Sequence, residues 1–157
     1  MNKGTMIAIG VLVVLAGFCF LWMFQMFKGF EVAMDESRSN AKTFGEETVA
    51  LLTLNWDFED IKLRSAQSLV DSDQDGTLSA QLRAYGEKLG QLKSSIGQVT
   101  DLAVDNNGES QVLRATFVAE VDFENGSATV KLELARLPRN SWQLVGIEVL
   151  PDEGTVN

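Results

Sequence analysis

The chain has 157 residues and a formal net charge of −9, from 13 Lys and Arg against 22 Asp and Glu. It contains no histidine and one cysteine, Cys19, which excludes Cys/His zinc sites, Ser-His-Asp triads, Cys-His dyads and any disulfide within one chain. The acidic balance repels phosphates, so no nucleic-acid partner is expected.

The residues 1–4 form a short tail. From Thr5 to Phe27 the sequence is apolar almost throughout and carries no charge. About 20 such residues cross a bilayer as a helix, the one form that satisfies its own backbone there. Thr5–Phe27 is therefore read as a single transmembrane helix. A cleaved signal peptide needs a shorter run and a small-residue cleavage site, which Phe27-Lys28-Gly29-Phe30-Glu31 does not offer. A lipoprotein signal needs a small residue abutting the cysteine, and Phe18 stands before Cys19. Lys3 and the α-amine lie on one flank, with the large domain on the other. The expected placement is the bacterial inner membrane, single-pass, with the C-terminal domain in the periplasm.

Helical spacing follows: Phe30, Met34, Ser37, Ala41, Phe44, Thr48 and Leu51 step by four and three. Residues 28–40 are read as a helical stalk and 41–150 as an α+β domain. Phe44, Val49, Leu51 and Leu52 should be buried; the same stripe could instead form the seam of a coiled-coil homodimer. Asn55-Trp56-Asp57 breaks the helix, with Trp56 as a core wedge and Asn55 or Asp57 capping a second helix that runs to about Val70.

Asp71-Ser72-Asp73-Gln74-Asp75-Gly76-Thr77-Leu78 is the sharpest local motif. It resembles the start of an EF-hand calcium loop, with Asp71, Asp73, Asp75 and Thr77 as ligands, because hard calcium wants converging oxygens. The twelfth loop position, a bidentate glutamate in that pattern, is Leu82 here. The preferred reading is thus an acidic helix–helix turn in which Asp75, Thr77 or Ser79 caps the next helix. The alternative is a degenerate calcium loop, and calcium is the one cofactor in view.

A third helix is expected from the rhythm Leu78, Leu82, Tyr85, Leu89, Leu92 and Ile96, stopped by Gly97. The period then becomes two. Val99–Val104 reads as a strand ended by a turn at Asp105–Gly108. Gln111–Glu124 reads as a second strand, with Ala115, Phe117, Ala119, Val121 and Phe123 on one face and Arg114, Thr116, Glu120 and Asp122 on the other. Asn125-Gly126 is the favoured hairpin turn; it would pair Glu124 with Ser127 and Phe123 with Ala128. The returning strand is Ser127–Leu137. A last strand, Ser141–Leu150, slips in its alternation near Gly146, which predicts a bulge. Residues 151–157 are a polar, flexible tail.

About three helices followed by about four antiparallel strands make an α+β fold, helices on one face of a curved sheet. The long helix, the Trp-Asp corner and the ending Ser141-Trp142-Gln143-Leu144-Val145-Gly146-Ile147-Glu148-Val149 resemble the cystatin-like cone fold of the nuclear transport factor two-like superfamily. Uncharacterised small periplasmic members, and scaffold subunits of envelope complexes, belong to that group. The anchor, stalk and acidic domain point to a membrane-tethered, non-enzymatic accessory domain with an envelope protein partner, contacting it through the exposed sheet face at Arg114, Thr116, Glu120, Lys131 and Glu133 or through an exposed edge. Superfamily members also enclose apolar pockets, which would here be lined by Phe117, Val121, Phe123, Leu132, Leu134 and Trp142 and would bind a small ligand or lipid. Its enzymes use pocket Asp, His or Tyr. Histidine is absent and no inward carboxylate is evident, so no catalytic residue is nominated and no enzymatic activity is expected.

Overall fold

A computed structural model describes residues 33–107, 110–136 and 141–152. The expected transmembrane helix Thr5–Phe27, the first part of the stalk and the turn after Leu137 lie outside the described residues. Among the described residues, no helix is long and apolar enough to cross a membrane. The chain divides into two compact units, Met1–Ser37 and Arg38–Asn157. In the described part of the first, residues 33–37 are helical and the Ser37 hydroxyl donates to the Ala33 carbonyl (2.8 Å). The second unit holds the core.

The described fold is α+β, with four helices and one four-stranded antiparallel sheet in the order β1-β2-β3-β4. Helix α1 covers residues 33–55. Its buried residues are Ser37, Ala41, Gly45, Thr48, Val49, Leu52 and Thr53, whereas Phe44 and Leu51 are only half-buried. Small residues on this face let the helix lie against the sheet. A Cβ at Gly45 would stand 2.4 Å from Cγ of Phe117. The Thr48 and Thr53 hydroxyls turn back onto the Phe44 and Val49 carbonyls of their own helix, so neither buried hydroxyl is left unpaired.

Trp56 ends α1 with φ of 53°, its N–H still bonded to the Leu52 carbonyl. Its ring lies 5.3 Å from that of Phe123 and packs on Gly86, where a Cβ would come within 2.6 Å. The wedge expected at this corner is present. Asp57 is the N-cap of α2, Phe58–Ile61, and its carboxylate accepts from the Glu59 N–H.

The second helix is not the continuous rod the sequence suggests. α2 passes into a 3-10 turn, Lys62–Arg64, and then an extended residue, Ser65, before α3, Gln67–Ser72. The apolar contacts Ile61 and Leu69 straddle Leu63, which is fully exposed. Ser65 forms a parallel bridge with Leu144, and the Ala66 N–H donates to the Leu144 carbonyl at 2.8 Å. These bonds to the last strand replace the intrahelical ones.

Helix α4 is Thr77–Leu89 and stops well short of Ile96. Gly90, with φ 77° and ψ −153°, reverses the chain in a conformation that side chains other than glycine's rarely adopt. Leu92 and Ile96 therefore belong to strand β1, Leu92–Asn107, and Ile96 is 78% exposed. Gly97 is not a helix stop; it lies inside β1 beneath the tip of the Phe117 ring. Asp105, Asn106 and Asn107, expected in a turn, belong to β1: Asp105 pairs with Val112 and its carboxylate accepts from Nε of Arg114.

Strand β2 is Ser110–Phe123, β3 Gly126–Arg136 and β4 Gln143–Pro151. The central hairpin has the expected faces and a different register. Phe123 pairs with Gly126 and Val121 with Ala128, so the two turn residues are Glu124 and Asn125. The end of α4 moves the turn: the Asn125 N–H donates to the Leu89 carbonyl, its side-chain amide to the Lys88 carbonyl, and the Glu124 N–H to the Gln91 carbonyl. The two bonds from Asn125 satisfy the last carbonyls of α4. The register differs from the expected one by two residues, and with a period of two the buried set is unchanged. Ala115, Phe117, Ala119, Val121 and Phe123 meet Ala128, Val130, Leu132 and Leu134 on the helix side, all buried. The bulge near Gly146 is present, with Glu133 opposite Gly146 and Leu134 opposite Leu144.

Candidate functional site

Among the described residues, the helices lie on one face of the sheet and none covers the other. Register places on that open face Ile96, Gln98, Asp101, Ala103 and Asp105 of β1, Arg114, Thr116, Val118, Glu120 and Asp122 of β2, Thr129, Lys131 and Glu133 of β3, and Gly146, Glu148 and Leu150 of β4. The five residues nominated as an interaction face are thus brought together. Thr116 stands directly opposite Glu133, Val118 opposite Lys131, and Glu120 opposite Thr129. The expected pairing of Glu120 with Lys131 is displaced by the register.

Electrostatically the face is acidic. Its two cations are already engaged. Arg114 Nε lies 3.2 Å from Asp105, and Lys131 Nζ lies 3.8 Å from Glu133 and 3.6 Å from Glu148. Ser94 donates to Asp122 at 2.9 Å. Glu120 and Asp101 are exposed beside them. Exposed ion pairs of this kind contribute only about 0–1 kcal/mol each; their effect is to set the sign of the surface. At the bulge, Gly146 opens a shallow depression bordered by Lys131, Glu133, Ile147 and Glu148. Part of this face escaped the sequence reading. The sequence pattern puts Ile96 on a helix and Asp105 in a turn, and only Asp101 and Ala103 in the expected strand Val99–Val104. Strand alternation through Asp101, Ala103 and Asp105 was the available signal.

The six residues nominated as a pocket lining are placed in the core. Phe117, Val121, Phe123, Leu132, Leu134 and Trp142 are each at most 5% exposed and belong to one hydrophobic cluster with Leu52, Phe58, Ile61 and Leu82. The Arg136 guanidinium lies 5.4 Å from the centre of the Trp142 ring. The indole N–H groups of Trp56 and Trp142 are buried with no hydrogen-bond partner among the described residues.

The acidic loop is organised as a helix cap. Asp73 accepts from the Leu78 N–H at 2.7 Å and the Ser79 N–H at 3.3 Å through one oxygen, and from the Ser79 hydroxyl through the other. Asp75 accepts from the Thr77 N–H, and hydrogen bonds from Thr77 hold its carboxyl below the ordinary 3.8. Asp71 accepts from Gln67 within α3. Among the described residues no three His, Cys, Asp or Glu stand close enough to hold a metal ion. The expected Asp75 thus caps the first N–H of α4, and Asp73, not foreseen, takes the next two because the loop through Gly76 (φ 71°) folds it back over the first turn of α4.

A groove between the end of α1 and α4 is lined by Thr53, Leu54, Trp56, Arg83, Gly86 and Gln91. Arg83 at its rim is paired with Asp57 at 3.3 Å. No family model matches the chain, and no curated protein and no solved structure is significantly similar to it.

Proposed function

We propose that the chain is a non-enzymatic, membrane-tethered interaction domain, an accessory subunit of a cell-envelope complex, built on a cystatin-like cone. The observation that carries this reading is the open sheet face. A broad, charged, uncovered surface holds Arg114, Thr116, Glu120, Lys131 and Glu133 together, while the residues that would line a ligand pocket are packed against one another. The apolar run Thr5–Phe27 supports a tether, and the short tail carrying Lys3 before a large C-terminal domain supports a periplasmic side of a bacterial inner membrane. A surface used for docking a protein needs polar groups held at fixed spacing, and strand register supplies that spacing.

The test is purification of the tagged full-length chain from its native membrane in mild detergent, followed by mass spectrometry. A stoichiometric membrane or envelope protein that is lost with Glu120→Lys supports the reading. Recovery of the chain in the soluble fraction, or of the chain alone, counts against it.

A further inference from the structure

One row of side chains crosses the open face from strand to strand. Register sets Ile96 of β1 opposite Glu120, Glu120 opposite Thr129, and Thr129 opposite Leu150 of β4. The two ends of the row are aliphatic and stand clear of the sheet, Ile96 78% and Leu150 49% exposed. Between them Glu120 is exposed and Thr129 half-buried. Neighbouring strands lie about 4.8 Å apart, so three steps separate the aliphatic ends by about 14 Å. One helix with its side chains is about 10–12 Å across. Ile96 and Leu150 are thus two rails spaced for a single helix, with Glu120 on the floor between them.

The charge of that floor sets the sign of its partner. Both cations of the face are engaged within it, Arg114 on Asp105 and Lys131 on Glu133 and Glu148. Asp122 has only the Ser94 hydroxyl. Among the described residues, Glu120 and Asp101 have no cation within ion-pair distance. Such a surface repels nucleic acid and anionic lipid. A second copy of the chain, itself carrying −9, brings the same charge to the contact. The complement is a cationic protein surface.

We infer that the open face docks a basic amphipathic helix of a partner protein. The helix seats between Ile96 and Leu150, with a lysine or arginine stripe over Glu120 and apolar side chains against the two rails. The inference rests on the interaction-domain reading above and names its partner's chemistry.

The test uses the full-length chain in mild non-ionic detergent and an alanine-based helical peptide of about 18 residues, with one lysine stripe flanked by leucines. Binding is followed by fluorescence anisotropy, with protein-free micelles subtracted. The lysine peptide should bind, and the same peptide with glutamate in place of lysine should bind about tenfold more weakly or worse. Glu120→Lys should weaken the lysine peptide about fivefold and strengthen the glutamate peptide. Ile96→Ser, at an exposed position, should also weaken the lysine peptide about fivefold. Glu87→Lys, on the exposed side of α4, makes the same change in net charge and should leave binding within about twofold. No binding of the lysine peptide, equal binding of the two peptides, equal losses with Glu120→Lys and Glu87→Lys, or undiminished binding by Ile96→Ser would each overturn the inference. If the lysine peptide does not bind while an envelope protein still co-purifies in a Glu120-dependent way, the helix inference fails and the interaction-domain reading stands.

Discussion

Gly97→Ala is the sharpest test of how the helix layer meets the sheet. Phe117 is fully buried, and two glycines close on it: Gly45 of α1 at the root of the ring and Gly97 of β1 at its tip. A methyl group at Gly97 would lie 2.1 Å from Cζ, 2.7 Å from Cε2 and 3.0 Å from Cε1. A flexible side chain would swing aside; a buried ring held at both ends has nowhere to go, so the backbone must shift. Overpacking of this kind costs about 1–3 kcal/mol, and contact this short belongs at the upper end, about 3 kcal/mol. For a unit the size of Arg38–Asn157 that lowers Tm by about 12 °C. The assay is a double-mutant cycle by urea unfolding of that unit with Gly97→Ala, Phe117→Leu and both together. Leucine removes the ring tip, so Gly97→Ala should cost less than about 1 kcal/mol in that background, a coupling of about 2 kcal/mol. A cost for Gly97→Ala that is the same in both backgrounds, or near zero in the first, would refute the packing argument.

Further outcomes follow from other elements. Gly90→Ala places a side chain at φ 77° and ψ −153°, against Asn125 and Glu124, and should cost about 1–3 kcal/mol in thermal unfolding. Asp73→Ala removes the acceptor for two N–H groups at the start of α4 and should cost about 1–2 kcal/mol, with faster amide exchange at Leu78 and Ser79 as its local signature. Asn125→Ala unties the hairpin turn from Lys88 and should cost about 1 kcal/mol while leaving the register of β2 and β3 intact. Asp75 should titrate below 3.8 by carbon-detected NMR, since Thr77 hydrogen bonds favour its ionised form. A carboxyl with a folded pKa below its unfolded one stabilises above the unfolded value, and that stabilisation is lost as pH falls through the folded one. Asp75→Asn should therefore remove part of the stability loss below about pH 4, and a midpoint at or above 3.8 would contradict the hydrogen bond.

Much of the sheet was legible because alternation over β2 and β3 is unbroken, and a period of two fixes faces even when it does not fix register. The register itself was not local information. Asn125-Gly126 is a good two-residue turn, yet the turn used is Glu124-Asn125, because the open carbonyls at the end of α4 recruit the Asn125 amides. Helix α4 was read too long for a related reason. Leu92 and Ile96 keep the four-three rhythm by coincidence, while Gly90 alone ends the helix. The second helix was read as continuous because its apolar residues suit a helix; the break at Ser65 depends on Leu144, far along the chain. For the candidate site, the β2 and β3 residues were visible from alternation. On β1, Leu92 and Ile96 were hidden by the helix boundary and Asp105 by the expected turn, while Asp101 already lay in the expected strand Val99–Val104.

The central claim is that the open sheet face, and not the helix face, meets a partner. A photo-crosslinking residue placed in the full-length chain at Thr116, and separately at Gln81 on the exposed side of α4, tests it in the native membrane. The account predicts a discrete adduct from Thr116 that disappears with Glu120→Lys, and none from Gln81. Adducts from Gln81 alone, or from both positions without dependence on Glu120, would contradict it.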